Sequence, residues 1–141
     1  MDIDALKKQL ILHEGLKLTP YRCTADKLTI GVGRNLDDVG ITQQEAEVLL
    51  DNDILRCADD LDRNMSWWRD LSEVRQRVLI DMVFNLGISR FMKFQNAIDA
   101  LANGNYKGCA EEMLDSRWAD QVGQRAMRLA NAMEFNEFDL T

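Results

Sequence analysis

From Thr42 onward the apolar residues recur at helical spacing with hardly a break, and the chain's only proline, Pro20, lies well before that point. A chain patterned this way is committed to a largely helical fold, because a period of about 3.6 residues places its apolar side chains on one face of each helix. Thr42-Gln43-Gln44-Glu45 reads as a capping box, and Ala46, Leu49, Leu50, Asp53, Ile54, Cys57 and Leu61 mark one stripe behind it. The pattern predicts one helix of about twenty residues, over 42–62. Four more are expected at about 73–86, 90–102, 106–114 and 123–134, with Gly87 and Gly104 as stops.

The first forty residues follow a different rule. Ile3, Leu6, Leu10 and Ile11 share a helical face over 3–12, Asp2 or Asp4 is placed to cap it, and Glu14-Gly15 ends it. From Lys17 to Asn35, Tyr21, Leu28, Thr29, Ile30 and Val32 suggest short strands around a turn at Thr24-Ala25-Asp26-Lys27. Gly31 and Gly33 leave room for close backbone approach. The expected architecture is α+β and mostly helical: a small β-hairpin lobe (15–40), a connecting helix (42–62) and a helical lobe (63–141) in a single domain. A cleft between the lobes is the natural ligand site.

Charge and cysteine usage narrow the function. A net charge of −7 and no dense basic run argue against nucleic acid, whose affinity comes from clustered Lys and Arg that displace counterions. The same acidity gives no electrostatic help toward an anionic polymer, so recognition of one has to reside in specific contacts. Three widely spaced cysteines, Cys23, Cys57 and Cys109, fit neither a disulfide framework nor a C-x-x-C motif. Cys57 and Cys109 sit on apolar stripes and are expected to be core. The acidic start Met1-Asp2-Ile3-Asp4 does not look like a signal peptide, and no run of about 18 apolar residues is present to span a bilayer.

The chemistry-bearing stretch runs from His13 to Gly33. A carboxylate at a helix end (Glu14), a thiol on a first strand (Cys23) and a hydroxyl on its partner (Thr29) converge only if the hairpin folds back over the helix. Spacing alone does not decide that. His13, the only histidine, adjoins Glu14, but neighbouring positions point in different directions and further metal ligands are lacking, so it is expected at the surface.

Glu14, eight residues, Cys23, five residues, then Thr29 within Thr29-Ile30-Gly31-Val32-Gly33 resembles the catalytic signature of phage T4-type lysozymes, the family 24 glycoside hydrolases. Val74-Arg75, Asp81-Met82-Val83-Phe84-Asn85-Leu86-Gly87, Ser116 to Gln121 and Arg125-Ala126 resemble that family's helical lobe in the same order, so the likeness runs from about residue 6 to 133. Two positions depart from it. Cys23 stands where the family often has Asp, and the segment from Arg34 to Ile41 is shorter than in the T4 enzyme.

The resemblance implies a lysozyme-like fold and an endolysin muramidase that cleaves the bond between N-acetylmuramic acid and N-acetylglucosamine in peptidoglycan. Such cleavage needs a proton for the leaving oxygen and help on the opposite face of an oxocarbenium-like centre. Glu14 is then the proton donor. Cys23 has two roles open to it, attack on the anomeric carbon as thiolate or positioning of a water together with Thr29. Water activation is favoured, since a hydroxyl is a poor acid or base but a good hydrogen-bonding positioner. Asn85, Phe84, Arg117 and Arg125 are the candidate substrate contacts, with Arg125 implied to sit beside Glu14. Phe84, Trp118 and the pair Trp67-Trp68 are also natural core residues. No cofactor or metal is expected. The implied setting is a monomer made in a host bacterium's cytoplasm and acting in the periplasm once a holin-type pore has opened the membrane. Rival readings are an inactive wall-binding module, a virion-associated lysozyme and a purely structural helical protein.

Overall fold

The computed structural model describes residues 1–138. The chain divides into two compact units, Met1–Leu49 and Leu50–Thr141.

The first unit opens with α1 (Ile3–Glu14), whose N-terminus is capped by Asp2 accepting from the Ala5 N–H at 3.0 Å. The expected face of Ile3, Leu10 and Ile11 exists, but α1 buries none of its residues. Three antiparallel strands follow in the order β1 (Lys17–Arg22), β2 (Leu28–Gly31), β3 (Arg34–Asn35). Tyr21 pairs with Thr29 and Arg22 with Leu28, while the β1–β2 register slips between Lys17 and Tyr21. Pro20 lies in that interval and brings no N–H to the ladder, which suits an irregular edge strand. β3 was not expected. Its two pairs, Thr29 with Asn35 and Ile30 with Arg34, are too few to leave a period-two signature in sequence.

α2 (Gln43–Asn64) starts at the expected capping box, with the Glu45 N–H donating to Thr42 Oγ1 at 3.1 Å and the Thr42 N–H to Glu45 Oε1 at 2.9 Å. Glu45 also receives both arms of Arg34, at 2.9 and 2.8 Å, and Arg34 donates to the Gly40 carbonyl as well. One carboxylate thereby fastens the short 34–41 segment to the start of α2. This donor set holds the Glu45 carboxyl well below the ordinary carboxylate range, at about 2.

The second unit is helical, built from the rest of α2, a 3₁₀ turn at Trp68–Asp70, α3 (Glu73–Leu86), α4 (Ile88–Phe91), α5 (Gln95–Ala102), α6 (Tyr106–Leu114), α7 (Arg117–Val122) and α8 (Gln124–Phe135). α6 packs on α5 and α8, and α3 on α8. The core includes Leu61, Val78, Met82, Phe91, Met113, Leu129 and Met133 together with Cys57 and Cys109. Burial pushes the Cys109 thiol up to about 12, so it behaves as an inert hydrophobe.

Two expectations are corrected here. The single helix expected over 90–102 is two, because the chain turns at Met92–Phe94 through i→i+3 bonds, Lys93 N–H to Arg90 O and Phe94 N–H to Phe91 O. The turn buries Phe91 and sets Phe94 edge-on to Trp118 at 5.9 Å between centroids. α7, unexpected from periodicity, is only six residues long. It is started by Ser116, whose hydroxyl accepts from the Ala119 N–H at 3.1 Å.

Candidate active site

Glu14 is the last residue of α1, and Gly15 ends the helix by donating its N–H to Ile11 O at 2.8 Å. Its side chain is exposed and enters no ion pair among the described residues of its own unit. What it does meet is the β2–β3 turn. A methyl group on Gly33 would stand 2.8 Å from Glu14 Oε2 and 3.2 Å from its Cδ, so the bare glycine backbone lies directly against the carboxylate. The close approach expected at Gly33 is therefore an approach to Glu14.

Cys23 and Thr29 come together on the other hairpin. Cys23 follows β1 and closes the turn with its N–H donating to Lys27 O at 3.0 Å, while the Asp26 N–H donates to Cys23 O at 2.8 Å and Asp26 takes φ +57°. This is the turn expected over 24–27. Thr29, inside β2, is 3% exposed, the only buried residue in the first unit. Its hydroxyl donates to Lys27 O at 2.8 Å, the same carbonyl that accepts the Cys23 N–H.

The thiol is held below its ordinary range. Backbone hydrogen bonding from Lys27 and Ala25 favours the thiolate and outweighs the desolvation that opposes it. Thr29 contributes less than these amides. Its hydroxyl also donates to Lys27 O, and the oxygen keeps lone pairs available as acceptors.

A brace behind the hairpin was not foreseen. The Asp37 carboxylate accepts the Leu28 N–H at 2.8 Å and lies 3.6 Å from Arg22, Asp38 takes Lys27 Nζ at 3.1 Å, and Asn35 bridges Asp38. These groups grip the residues on either side of Cys23 and Thr29. The run Asn35-Leu36-Asp37-Asp38 carries the turn chemistry, but its partners nine to fifteen residues earlier leave no local signal.

In the helical unit, the four candidate substrate residues separate into distinct settings. Phe84, 46% exposed, and Arg125 line an open hollow of about 450 Å³ with Trp68, Ile80 and Asp81. Arg125 is engaged within its own unit, its Nε donating to Asp81 Oδ1 at 2.9 Å and its Nη2 standing 2.7 Å from the same oxygen. Asn85 is exposed, with its Oδ1 accepting the Trp118 Nε1–H at 2.8 Å. The buried Trp118 thus aims its one polar atom at Asn85, leaving the Asn85 amide NH₂ to face solvent or a ligand. Arg117 lines a second hollow of about 680 Å³ that includes Arg90, Lys93 and Gln121. Trp68 is core, as expected, with its Nε1–H on Asp62 at 2.7 Å, and His13 is exposed.

The geometry can be set beside known proteins. A family model described as "Phage lysozyme" matches residues 12–133. A protein described as "Endolysin", from Acyrthosiphon pisum secondary endosymbiont phage 1, is 31% identical over 126 residues, covering 84% of this chain and 84% of its own. The "SAR-endolysin" of Escherichia phage Mu is 28% identical over 133 residues, 92% of this chain and 75% of its own. The "Probable T4-type lysozyme 1" of Dictyostelium discoideum is 24% identical over 161 aligned residues, 94% of this chain and 95% of its own. The matched span holds Glu14, Cys23 and Thr29 together with the helical lobe, and the chain belongs to the phage lysozyme family.

Proposed function

We propose that the chain acts as an endolysin, with Glu14 as proton donor and with Cys23 and Thr29 presenting the attacking water. Membership of the family makes it a lysozyme-type glycoside hydrolase with peptidoglycan as substrate. The bond concerned is the β-1,4 link between N-acetylmuramic acid and N-acetylglucosamine. The observation that carries the roles is the hairpin turn, where the Cys23 N–H and the buried Thr29 hydroxyl both donate to the Lys27 carbonyl, at 3.0 and 2.8 Å, so that the thiol-bearing and hydroxyl-bearing residues meet at one atom.

A water between these groups gives one hydrogen to Thr29 Oγ1 and the other to the Cys23 thiolate, leaving an oxygen lone pair free to attack. In the reaction Glu14 protonates the leaving oxygen, the glycosidic C–O bond breaks, the water oxygen bonds to the anomeric carbon and the thiolate takes the water's proton. The outcome is inversion. The depressed thiol also suits direct attack, which gives a thioglycosyl intermediate and retention. NMR of the first-formed product separates the two, and a retained anomer would overturn the water-positioning role.

On the substrate side we place Phe84, Asn85, Arg117 and Arg125. Arg125 is assigned to substrate positioning, and Arg125→Gln is expected to lower kcat/KM. Lysis of the host follows entry of the monomeric enzyme to the wall through a holin-type lesion. Turbidity clearing of permeabilised Gram-negative cells tests the whole reading. The wild type is expected to clear them, and Glu14→Gln to lose about 10²–10⁴-fold. An inactive wild type, or a fully active Glu14→Gln, would leave a wall-binding module instead.

A further inference from the structure

We propose that Gly33 is a positioning residue for the acid, a side-chain-free shelf in the β2–β3 turn that sets where the Glu14 carboxylate stands. The inference rests on the reading of Glu14 as proton donor. Glu14 ends a helix, is exposed and enters no ion pair among the described residues of its unit, so little else there restrains a side chain with three rotatable bonds. The turn backbone supplies the restraint. A methyl on Gly33 would meet Oε2 at 2.8 Å, Cδ at 3.2 Å and Cβ at 3.4 Å, three atoms along the same side chain. Ordinary contact begins near 3.5 Å, so any side chain at this position drives the carboxyl group away by roughly half an ångström or more. The atoms that must yield are the flexible end of Glu14, so the protein absorbs the substitution by moving its acid rather than by failing to fold. A displacement of about 1 Å at a reacting group is enough to cost on the order of 10²-fold in rate.

The turn contains its own control. Gly31 and Gly33 both adopt left-handed backbone, φ +70° and +64°, but a methyl on Gly31 meets nothing within 4 Å. Alanine at either position carries the same backbone strain. Only alanine at Gly33 touches the acid.

The experiment compares Gly33→Ala, Gly31→Ala, Gly33→Asn and Glu14→Gln for Tm, for kcat and KM on a soluble peptidoglycan fragment, and for the pH dependence of kcat. Both alanine variants are expected to lose similar Tm. Gly33→Ala is expected to lose about 10-fold or more in kcat with KM within about 2-fold, and to displace the limb of the pH profile governed by the acid. Gly31→Ala is expected to keep its kcat and its profile. Asn tolerates left-handed backbone yet still carries a Cβ, so Gly33→Asn should retain more stability and lose kcat all the same. Equal kcat losses at Gly31 and Gly33, or an unchanged kcat and profile in folded Gly33→Ala and Gly33→Asn, would overturn the shelf while leaving Glu14 as the acid. An active Glu14→Gln would overturn the acid assignment itself.

Discussion

The two units of the chain are held together by different means. Every buried apolar residue among those described lies between Cys57 and Met133, whereas in residues 1–49 the one buried residue is Thr29. The helical unit rests on apolar burial, at roughly 1.5–3 kcal/mol per large side chain removed from water. The hairpin unit rests on oriented polar contacts: Arg34 on Glu45, Asp37 on the Leu28 N–H and Asp38 on Lys27. Polar clamps at partial exposure are weaker than a core, but they are directional. Directionality is what a site needs that must hold a thiol, a hydroxyl and a carboxylate in defined places.

The contrast is open to direct attack. The largest effect is expected from Phe91→Ala, which opens a cavity where the chain turns between α4 and α5 and should cost about 3–5 kcal/mol in denaturant unfolding. A loss below about 1 kcal/mol would mean that the helical core is not the principal source of stability. Next is Arg75→Met. Arg75 donates to Met133 O at 2.7 Å and to Glu134 O at 3.1 Å, with its guanidinium 3.5 Å from the Tyr106 ring centroid. Its removal strands the carbonyls ending α8 and should cost about 1–3 kcal/mol. Trp68→Phe keeps most of the buried ring but loses the bond to Asp62, for about 1 kcal/mol.

In the hairpin unit the expected losses are smaller and depend on pH. Glu45 has a folded pKa near 2 against an ordinary 4.5, so its stabilising contribution is complete above about 4.5 and fades as pH falls toward 2. Amide protection in β1–β3, measured relative to the intrinsic exchange rate, should fall as pH drops through that window in the wild type. In Glu45→Gln protection should be lower at neutral pH already and change little across the window. Leu18→Ala, at an 83% exposed site, should change stability by less than about 0.5 kcal/mol. A large loss there would show that an apolar contact, not the polar clamps, supports the hairpin.

Much of this protein was written in local sequence. The 3.6-residue period gave α2, α3, α6 and α8 nearly to their ends, because each buries a stripe long enough to repeat. The capping box at Thr42 and Glu45 marked the start of α2 to within a residue. The turn after Cys23 was legible from its turn-forming residues, and of the two glycines expected to allow close backbone approach Gly33 has one and Gly31 does not. The failures share one cause. β3, the break at Met92–Phe94 and α7 are too short to display a period.

The site divides along the same line. The resemblance to a family signature pointed to Glu14, Cys23 and Thr29, because that signature is a local string. That the Lys27 carbonyl accepts hydrogen bonds from both the Cys23 N–H and the Thr29 hydroxyl, that backbone hydrogen bonding lowers the Cys23 thiol and that Gly33 lies against Glu14 are products of the folded hairpin. Periodicity and capping act over a few residues and can be read from a chain in order. Hydrogen-bond direction and contact at a few ångströms exist only once the chain has brought distant residues together, and there the tertiary structure alone decides.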